Sequence, residues 1–175
     1  DFTVSSVETR ERIRRPQAPF ITSRMQQDAA RKLGFSAKKT MMVAQQLYEG
    51  VDIGEGTEGL ITYMRTDSMN LSPDFVQELR AHIQEQYGKD YLPDSARFYK
   101  TKAKNAQEAH EAIRPTGIRL PDSIRTKLEP DQYKLYQLIF KRTLACQMIH
   151  ASMEVVTVDF ACEDRANFHA TGSTV

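Results

Sequence analysis

Gly59-Leu60-Ile61-Thr62-Tyr63-Met64-Arg65-Thr66-Asp67-Ser68 begins as a short apolar run and passes into a polar segment in which Tyr63 and Arg65 stand two positions apart. In an extended backbone, side chains at i and i+2 point to the same side, so the phenol and the guanidinium are expected to project together. A tyrosine oxygen can serve as a covalent nucleophile, and a planar arginine fork matches phosphate oxygens while staying charged at any working pH. The plain alternative is a half-buried strand tyrosine beside a solvated arginine, because short motifs match by chance often.

Outward from this segment the signals are helical. Ser23, with Gln26 three positions on, forms a capping-box pattern before Met25, Ala29, Ala30 and Leu33, and Gly34 closes that helix. A second helix is predicted from Ser36 through Met41, Ala44, Leu47 and Tyr48 to Gly50. The glycine- and acid-rich stretch Gly50 to Gly59 lacks the cations and following helix of a phosphate cradle, and is expected to be a flexible surface loop. On the other side, Ser72-Pro73-Asp74 starts a helix carrying Phe75, Leu79, Ile83 and Tyr87 on one stripe, with Gly88 as the stop. His82 lies off that stripe and is expected on the solvated surface.

Arg97, Lys100, Lys102 and Lys104 are interleaved with Phe98 and Tyr99, with no carboxylate between Ser95 and Gln107. Cations for phosphates beside aromatic faces for splayed bases make this the best local candidate for a nucleic-acid contact, against the alternative of a solvated basic loop. Asn105 is expected to cap a helix ending at Pro115, with His110 and Arg114 four apart on one face. A lone histidine of this kind is usually an ordinary surface residue. Pro130 opens a long helix through Tyr133, Tyr136, Leu138, Ile139, Phe140, Leu144 and Met148, which reads as buried scaffold. Glu129 and Asp131 are acids favoured by its N-terminal dipole, not metal ligands.

Strand patterns close both ends. Phe2, Val4 and then Val7 alternate with small polar residues over Asp1 to Val7. Arg10, Arg12, Arg14 and Arg15 follow, and Pro16 and Pro19 mark an extended linker. Near the C-terminus Val156, Val158 and Phe160 alternate with Thr157 and Asp159, and a shorter run surrounds Phe168. Strands bracketing a helical middle suggest an insertion whose two stalks belong to a neighbouring sheet.

The chain has 175 residues, 40% hydrophobic and 27% charged, enough for one cored domain or for one domain with part of another. A net charge of +1 excludes a uniformly basic nucleic-acid binder, so any polyanion surface is local. Cys146 and Cys162 form no Cys-x-x-Cys pair, which leaves zinc ligation and a disulfide scaffold unsupported and reads as two free thiols of a reducing cytoplasm. Without a long apolar stretch or a leader pattern, neither membrane insertion nor export is expected. Asn70-Leu71-Ser72 is taken as a chance match to a glycosylation acceptor.

Several motifs in order carry a resemblance: Pro19-Phe20-Ile21-Thr22-Ser23, Gln26-Gln27, Arg31 to Phe35, Thr40-Met41-Met42, Ala44 to Glu49, Ile61 to Ser68, and Gln107 to Thr116. This order resembles the type IA family of bacterial DNA topoisomerases, strongly from about Pro19 to Pro115 and more weakly to the end. The resemblance implies a mainly α fold, α+β overall. A helical tyrosine-bearing domain (19–150) would stand between arch strands 1–18 and 151–175. It implies a piece of an ATP-independent isomerase that relaxes negatively supercoiled DNA. Tyr63 would attack a backbone phosphate of single-stranded DNA, forming a 5′-phosphotyrosine link and releasing a 3′ hydroxyl. Arg65 would steady the phosphate charge, and His110 would hydrogen-bond near the scissile phosphate or Asp67. Arg114 would contact the DNA backbone, beside the run of Arg97, Lys100, Lys102 and Lys104 already singled out, and Asp67 would contact DNA or, with Thr66, only fix the loop. The family's Mg²⁺ sits on an Asp-x-Asp cluster absent from this sequence, so no metal is expected here and the isolated chain is expected to be inactive. The implied setting is a monomer in the bacterial cytoplasm, nucleoid-associated, partnered by the rest of its polypeptide. A non-catalytic single-stranded nucleic-acid module and a helical interaction domain are the alternatives. Tyrosine recombinases and type IB enzymes are disfavoured because there the nucleophile follows its arginines and histidine.

Overall fold

In the computed structural model, residues 2–54, 56–99, 111–162 and 166–175 are described. The chain divides into two units, residues 1–16 with 149–175 and residues 17–148. The first is an antiparallel sheet of β1 (Phe2–Arg14), β4 (Ala151–Cys162) and β5 (Ala166–Thr174), with β4 in the middle. The broken spacing Phe2, Val4, Val7 has a structural cause. The register shifts between Val4 and Ser6, so Val4 faces Phe160 while Val7 faces Val158. The extra residue is a bulge, and it moves every later side chain of β1 to the face it would otherwise have missed. Phe2, Val4 and Val7 thus share a face with Val156, Val158, Phe160 and Phe168, and the Phe2 and Phe168 rings meet edge to face at 5.7 Å. Arg10, Arg12 and Arg14 fall on the other face, paired across the ladder with Val155, Met153 and Ala151. The strand expected over Asp1 to Val7 therefore continues through Arg10 and Arg12 to Arg14.

The second unit packs α1 (Thr22–Leu33), α2 (Ala37–Glu49), α3 (Pro73–Tyr87) and α4 (Pro130–Cys146) around one apolar cluster. Its most enclosed members include Phe20, Met25, Leu47, Leu60, Ile61, Leu79, Ile83, Ile113, Leu135 and Ile139. Helix α2 starts as its sequence indicates, with the Ser36 side chain accepting from the Lys39 amide, and α3 starts in the same way on Ser72. Gly34 ends α1 at φ 70°, accepting the left-handed conformation that residues with a Cβ resist. The capping box at Ser23 does not form. Ile21 is the cap residue, no side chain caps it, and Thr22 is turned to another task described below.

Helix takes 42% and strand 26% of the described residues, so the mainly α expectation is corrected to a mixed fold. Two features account for the difference. The strands at the ends are longer than their apolar alternation showed, because Glu8, Arg10, Arg12 and Arg14 can occupy a solvated face. Residues Glu111 to Pro115 are also extended, with Ile113 bridging Phe20 and Pro115 bridging Ile61, where a helix was expected. The Gly50 to Gly59 loop contains a small hairpin of β2 (Val51–Asp52) and β3 (Thr57–Glu58). His82 is not on the solvated surface: it is half-buried, edge-on to Phe140 at 6.5 Å, and its Nε2 has no hydrogen-bond partner.

One charged group is built into the helical unit. Asp28, nearly enclosed on α1, receives Arg31, Lys32 at 3.5 Å and Arg142 of α4 at 3.5 Å. Arg142 also donates to the Ala18 carbonyl at 2.6 Å and lies over the Phe20 ring at 4.8 Å, so the cluster ties α4 to the chain entering α1. Burial by itself raises the Asp28 carboxyl, but the Arg31 hydrogen bond and the charges of Lys32, Arg142 and Arg31 outweigh it and leave the pKa below its ordinary 3.8. A depressed carboxylate contributes stability above its unfolded value and loses it as pH falls through the folded one. Asp28→Asn is expected to cost about 1–3 kcal/mol at neutral pH by urea unfolding. It should also flatten the loss of stability that the unaltered chain shows on acidification below 3.8.

Candidate active site

The segment from Gly59 to Ser68 is held on both sides by backbone rather than by a regular strand. Leu60 N–H donates to the Leu47 carbonyl at 2.7 Å, taking up one of the carbonyls that the end of α2 leaves open. Gly59 is required by the same docking: a Cβ there would lie 2.6 Å from the Tyr48 carbonyl oxygen. Toward the extended Glu111–Thr116 run, Thr62 N–H donates to the Arg114 carbonyl at 2.9 Å and Thr116 N–H donates to the Leu60 carbonyl at 3.1 Å. Toward α1, Thr22 N–H donates to the Thr66 carbonyl at 2.9 Å.

Two threonine hydroxyls complete the seam. Thr22 Oγ1 donates to the Met64 carbonyl at 2.7 Å and accepts from the Thr66 amide at 2.9 Å. Thr62 Oγ1 donates to the Ala112 carbonyl at 2.7 Å and accepts from the Arg114 amide at 3.0 Å. Each hydroxyl serves one amide and one carbonyl, the pair that a neighbouring strand would have supplied. Thr66 and Ser68, both buried, turn their hydroxyls to the amides of Ser68 and Asn70 at 3.0 and 3.2 Å.

The consequence is an alternation of exposure with period two. Met64, Thr66 and Ser68 are buried, while Tyr63, Arg65 and Asp67 are exposed. Tyr63, 40% exposed, meets the Tyr48 ring edge to face at 5.3 Å, with 63° between the planes. Tyr48 comes from the last turn of α2, whose position the Leu60 and Gly59 contacts fix. A phenol held in this way, with a guanidinium and a carboxylate at the next two exposed positions, presents a nucleophile, a phosphate-matching cation and an acceptor along one edge.

The other expected site residues divide. Arg114 is drawn inward. Its Nε donates to Glu111, its Nη1 to the Pro115 carbonyl at 2.8 Å, and its guanidinium lies 4.0 Å from the Phe75 ring centroid, leaving the side chain 12% exposed. It braces the extended run in this conformation. Arg97 is half-buried, and its backbone is fastened at both ends by Gln147, which accepts from its amide at 3.1 Å and donates to its carbonyl at 2.9 Å. Phe98, 72% exposed, stands beside it, while the Tyr99 hydroxyl donates to the Cys146 carbonyl at 2.8 Å. Lys100, Lys102, Lys104 and His110 lie outside the described residues. Burial pushes the Cys146 thiol up to about 12, which removes it as a nucleophile. Among the described residues no group of three or more His, Cys, Asp or Glu side chains fits a metal ion. Sequence reasoning missed Thr22, Thr62, Tyr48 and Gly59 as the residues that build the segment. Their long-range hydrogen bonds leave no local signal, although the glycine before an apolar run marks a close backbone approach.

A chain with this mixed architecture and this edge invites comparison with enzymes that handle phosphodiesters. The family model for DNA topoisomerase matches residues 1–175, and the chain belongs to that family. The DNA topoisomerase 1 of Rickettsia felis is 58% identical over 177 residues, covering 100% of this chain and 23% of that protein. That of Xylella fastidiosa is 52% identical over 174 residues, covering 98% of this chain and 21% of that protein. The solved full-length topoisomerase I from Thermotoga maritima superposes with a TM-score of 0.78 at 40% identity, over 98% of this chain and 27% of its own. The chain thus spans between a fifth and about a quarter of the length of these relatives.

Two substitutions test the seam. Thr22→Val keeps shape but strands the Thr66 amide, and is expected to cost about 1–3 kcal/mol in urea unfolding, with faster amide exchange at Thr66. Gly59→Ala forces the new methyl against the Tyr48 carbonyl and is expected to cost about 1–3 kcal/mol, with a loss of the Tyr48–Tyr63 ring contact by NMR.

Proposed function

We propose that this chain is the tyrosine-bearing part of a type IA DNA topoisomerase, residues 19–150 forming the helical domain and residues 1–18 and 151–175 the strands of a β-rich arch. The reading rests on the exposure of Tyr63, Arg65 and Asp67 along a segment whose alternate residues are buried and hydrogen-bonded. In this reading the Tyr63 oxygen attacks a backbone phosphorus of single-stranded DNA, an O–P bond to the tyrosine forms and the bond to the 3′ oxygen breaks. The phenolic proton leaves, and the 3′ oxygen takes one up to become a hydroxyl. One phosphodiester replaces another, so religation needs no ATP. Arg65 neutralises charge growing on the phosphate oxygens from a preorganised position.

The attack releases the phenolic proton, and a neighbouring group has to receive it. His110 is the proposed hydrogen-bonding partner near the phosphate or Asp67, and Arg97, Lys100, Lys102 and Lys104 the proposed DNA-contacting run. Arg114 supports the wall through Glu111 and Phe75 and contributes charge behind it. In this reading the family's cation, which would supply phosphate charge neutralisation, is held by an Asp-x-Asp cluster in another part of the parent polypeptide. The parent is proposed to act as a bacterial cytoplasmic monomer.

In the parent enzyme, Tyr63→Phe is expected to abolish the covalent protein–DNA adduct trapped by denaturant while leaving single-strand binding within about threefold. The isolated chain with Mg²⁺ is expected to leave supercoiled DNA unrelaxed. Persistence of the adduct in the phenylalanine variant would falsify the assignment of the nucleophile.

A further inference from the structure

The sheet unit has two unlike faces. One carries Phe2, Val4, Val7, Val156, Val158, Phe160 and Phe168, with Glu11 opposite Glu154 beyond them. The other carries Arg10, Arg12 and Arg14 in a row along β1, all exposed. The residues beside them in the ladder are neutral, Val155, Met153 and Ala151 on β4 and Ser173 on β5. Among the described residues only Arg10 of the three has an ion-pair partner, Glu8 at 3.4 Å, with both side chains about two-thirds exposed. Such a pair contributes little and gives way readily. When another layer covers this sheet, the apolar face is the one that gains from burial, which leaves the arginine face to solvent.

We propose that the Arg10–Arg12–Arg14 row is a binding surface for the sugar-phosphate backbone of a DNA strand. Alternate residues of a strand repeat at about 6.4–6.8 Å. That repeat exceeds the axial charge spacing of a stacked strand, about 3.4 Å, and suits a backbone drawn out along β1. Guanidinium forks bind phosphate bidentately and read no base, so the surface is sequence-independent. A chain whose net charge is only +1 holds three of its cations here on one face with two acids, Glu8 beside Arg10 and Asp159 further along, where it accepts from the Ser6 hydroxyl at 2.6 Å. The bulge at Ser5 is the device that puts them there. Without it, the arginines would fall on the face of Phe2 and Val4. The proposal rests on the DNA-enzyme reading above but not on Tyr63.

The test uses the parent enzyme with Arg10, Arg12 and Arg14 all changed to Gln, and separately all to Lys. Binding of a labelled single-stranded oligonucleotide and of a labelled duplex is followed by anisotropy over a range of salt concentrations. The glutamine variant is expected to lower the slope of log K against log salt by about 2 on the single strand and by less on the duplex. The lysine variant should keep the original slope. Phenylglyoxal labelling of Arg12 and Arg14 in the unaltered enzyme should be slowed by the single strand, a measurement independent of variant folding. An unchanged slope with glutamine, a slope lost equally with lysine, or labelling slowed by the duplex alone or by neither nucleic acid overturns the proposal. Tyr63→Phe separates the two readings, since it should leave the slope unchanged while removing the covalent adduct.

Discussion

Everything the candidate site can do depends on Thr22. Its amide and its hydroxyl together engage the backbone of Met64 and Thr66, across more than forty residues of sequence. The segment beneath Tyr63 has no regular strand partner on that side, and unpaired amides at a half-buried position would each cost about 1–3 kcal/mol. Thr62 makes the matching arrangement toward Ala112 and Arg114. A short side chain that both donates and accepts lets an irregular segment lie between a helix start and an extended run without forfeiting its hydrogen bonds. Phe20, Ile61, Met64 and Ile113 then fill the space below, so the exposed edge stands on apolar packing with little freedom to shift.

That rigidity bears on chemistry. A tyrosine placed to attack a phosphate must be held to within a fraction of an ångström, and the usual means is to place it on a strand or helix. Here the segment bends at Thr62 and at Met64 and Arg65, yet still alternates buried with exposed residues from Tyr63 to Ser68. The bends let it pass from the Ile61–Pro115 bridge to the Thr22 contact. Tyr48 adds a restraint from above. Its ring meets Tyr63 edge to face, and its carbonyl is the surface against which Gly59 must fit. The ring restraint and the backbone restraint come from one residue of α2, so the phenol and its backbone are positioned together.

The parts of this fold that were legible in the sequence are those with local causes. Ser36 and Ser72 announce helix starts because their hydroxyls serve amides only three residues on. Gly34 announces a stop through its own backbone. The exposed order Tyr63, Arg65, Asp67 follows from the period of an extended chain, which needs no knowledge of partners. What was not legible has distant causes. Thr22 was passed over because Ser23 beside it, with Gln26, makes a plausible capping box, and only the Met64 and Thr66 backbone decides between them. Glu111 to Pro115 were expected to continue a helix, but pairing with Phe20 and Ile61 outweighs local propensity. His82 was expected in water because it lies off the stripe of Phe75, Leu79 and Ile83, yet Phe140 of α4 reaches over it.

The sheet shows how small a sequence feature can redistribute charge. Four arginines between Arg10 and Arg15 resemble a linker until Ser5 is seen to be an extra residue in the ladder. A strand of strict alternation starting Phe2, Val4 would have carried Arg10, Arg12 and Arg14 on the same side as those side chains, mixing guanidinium groups into an apolar surface at heavy desolvation cost. Shifting the register by one residue separates them. The guanidinium groups are then kept out of the apolar side, on which Glu11 faces Glu154 toward the far end of the ladder, and the basic side keeps its hydration and its charge for a partner. The same net charge spread evenly over the molecule would be screened within about 10 Å at ordinary ionic strength, whereas three forks in a row act within a few ångströms of the same strand of phosphates. A nearly neutral chain is therefore compatible with strong local attraction for a polyanion, since the bulge concentrates charge on one face without adding any.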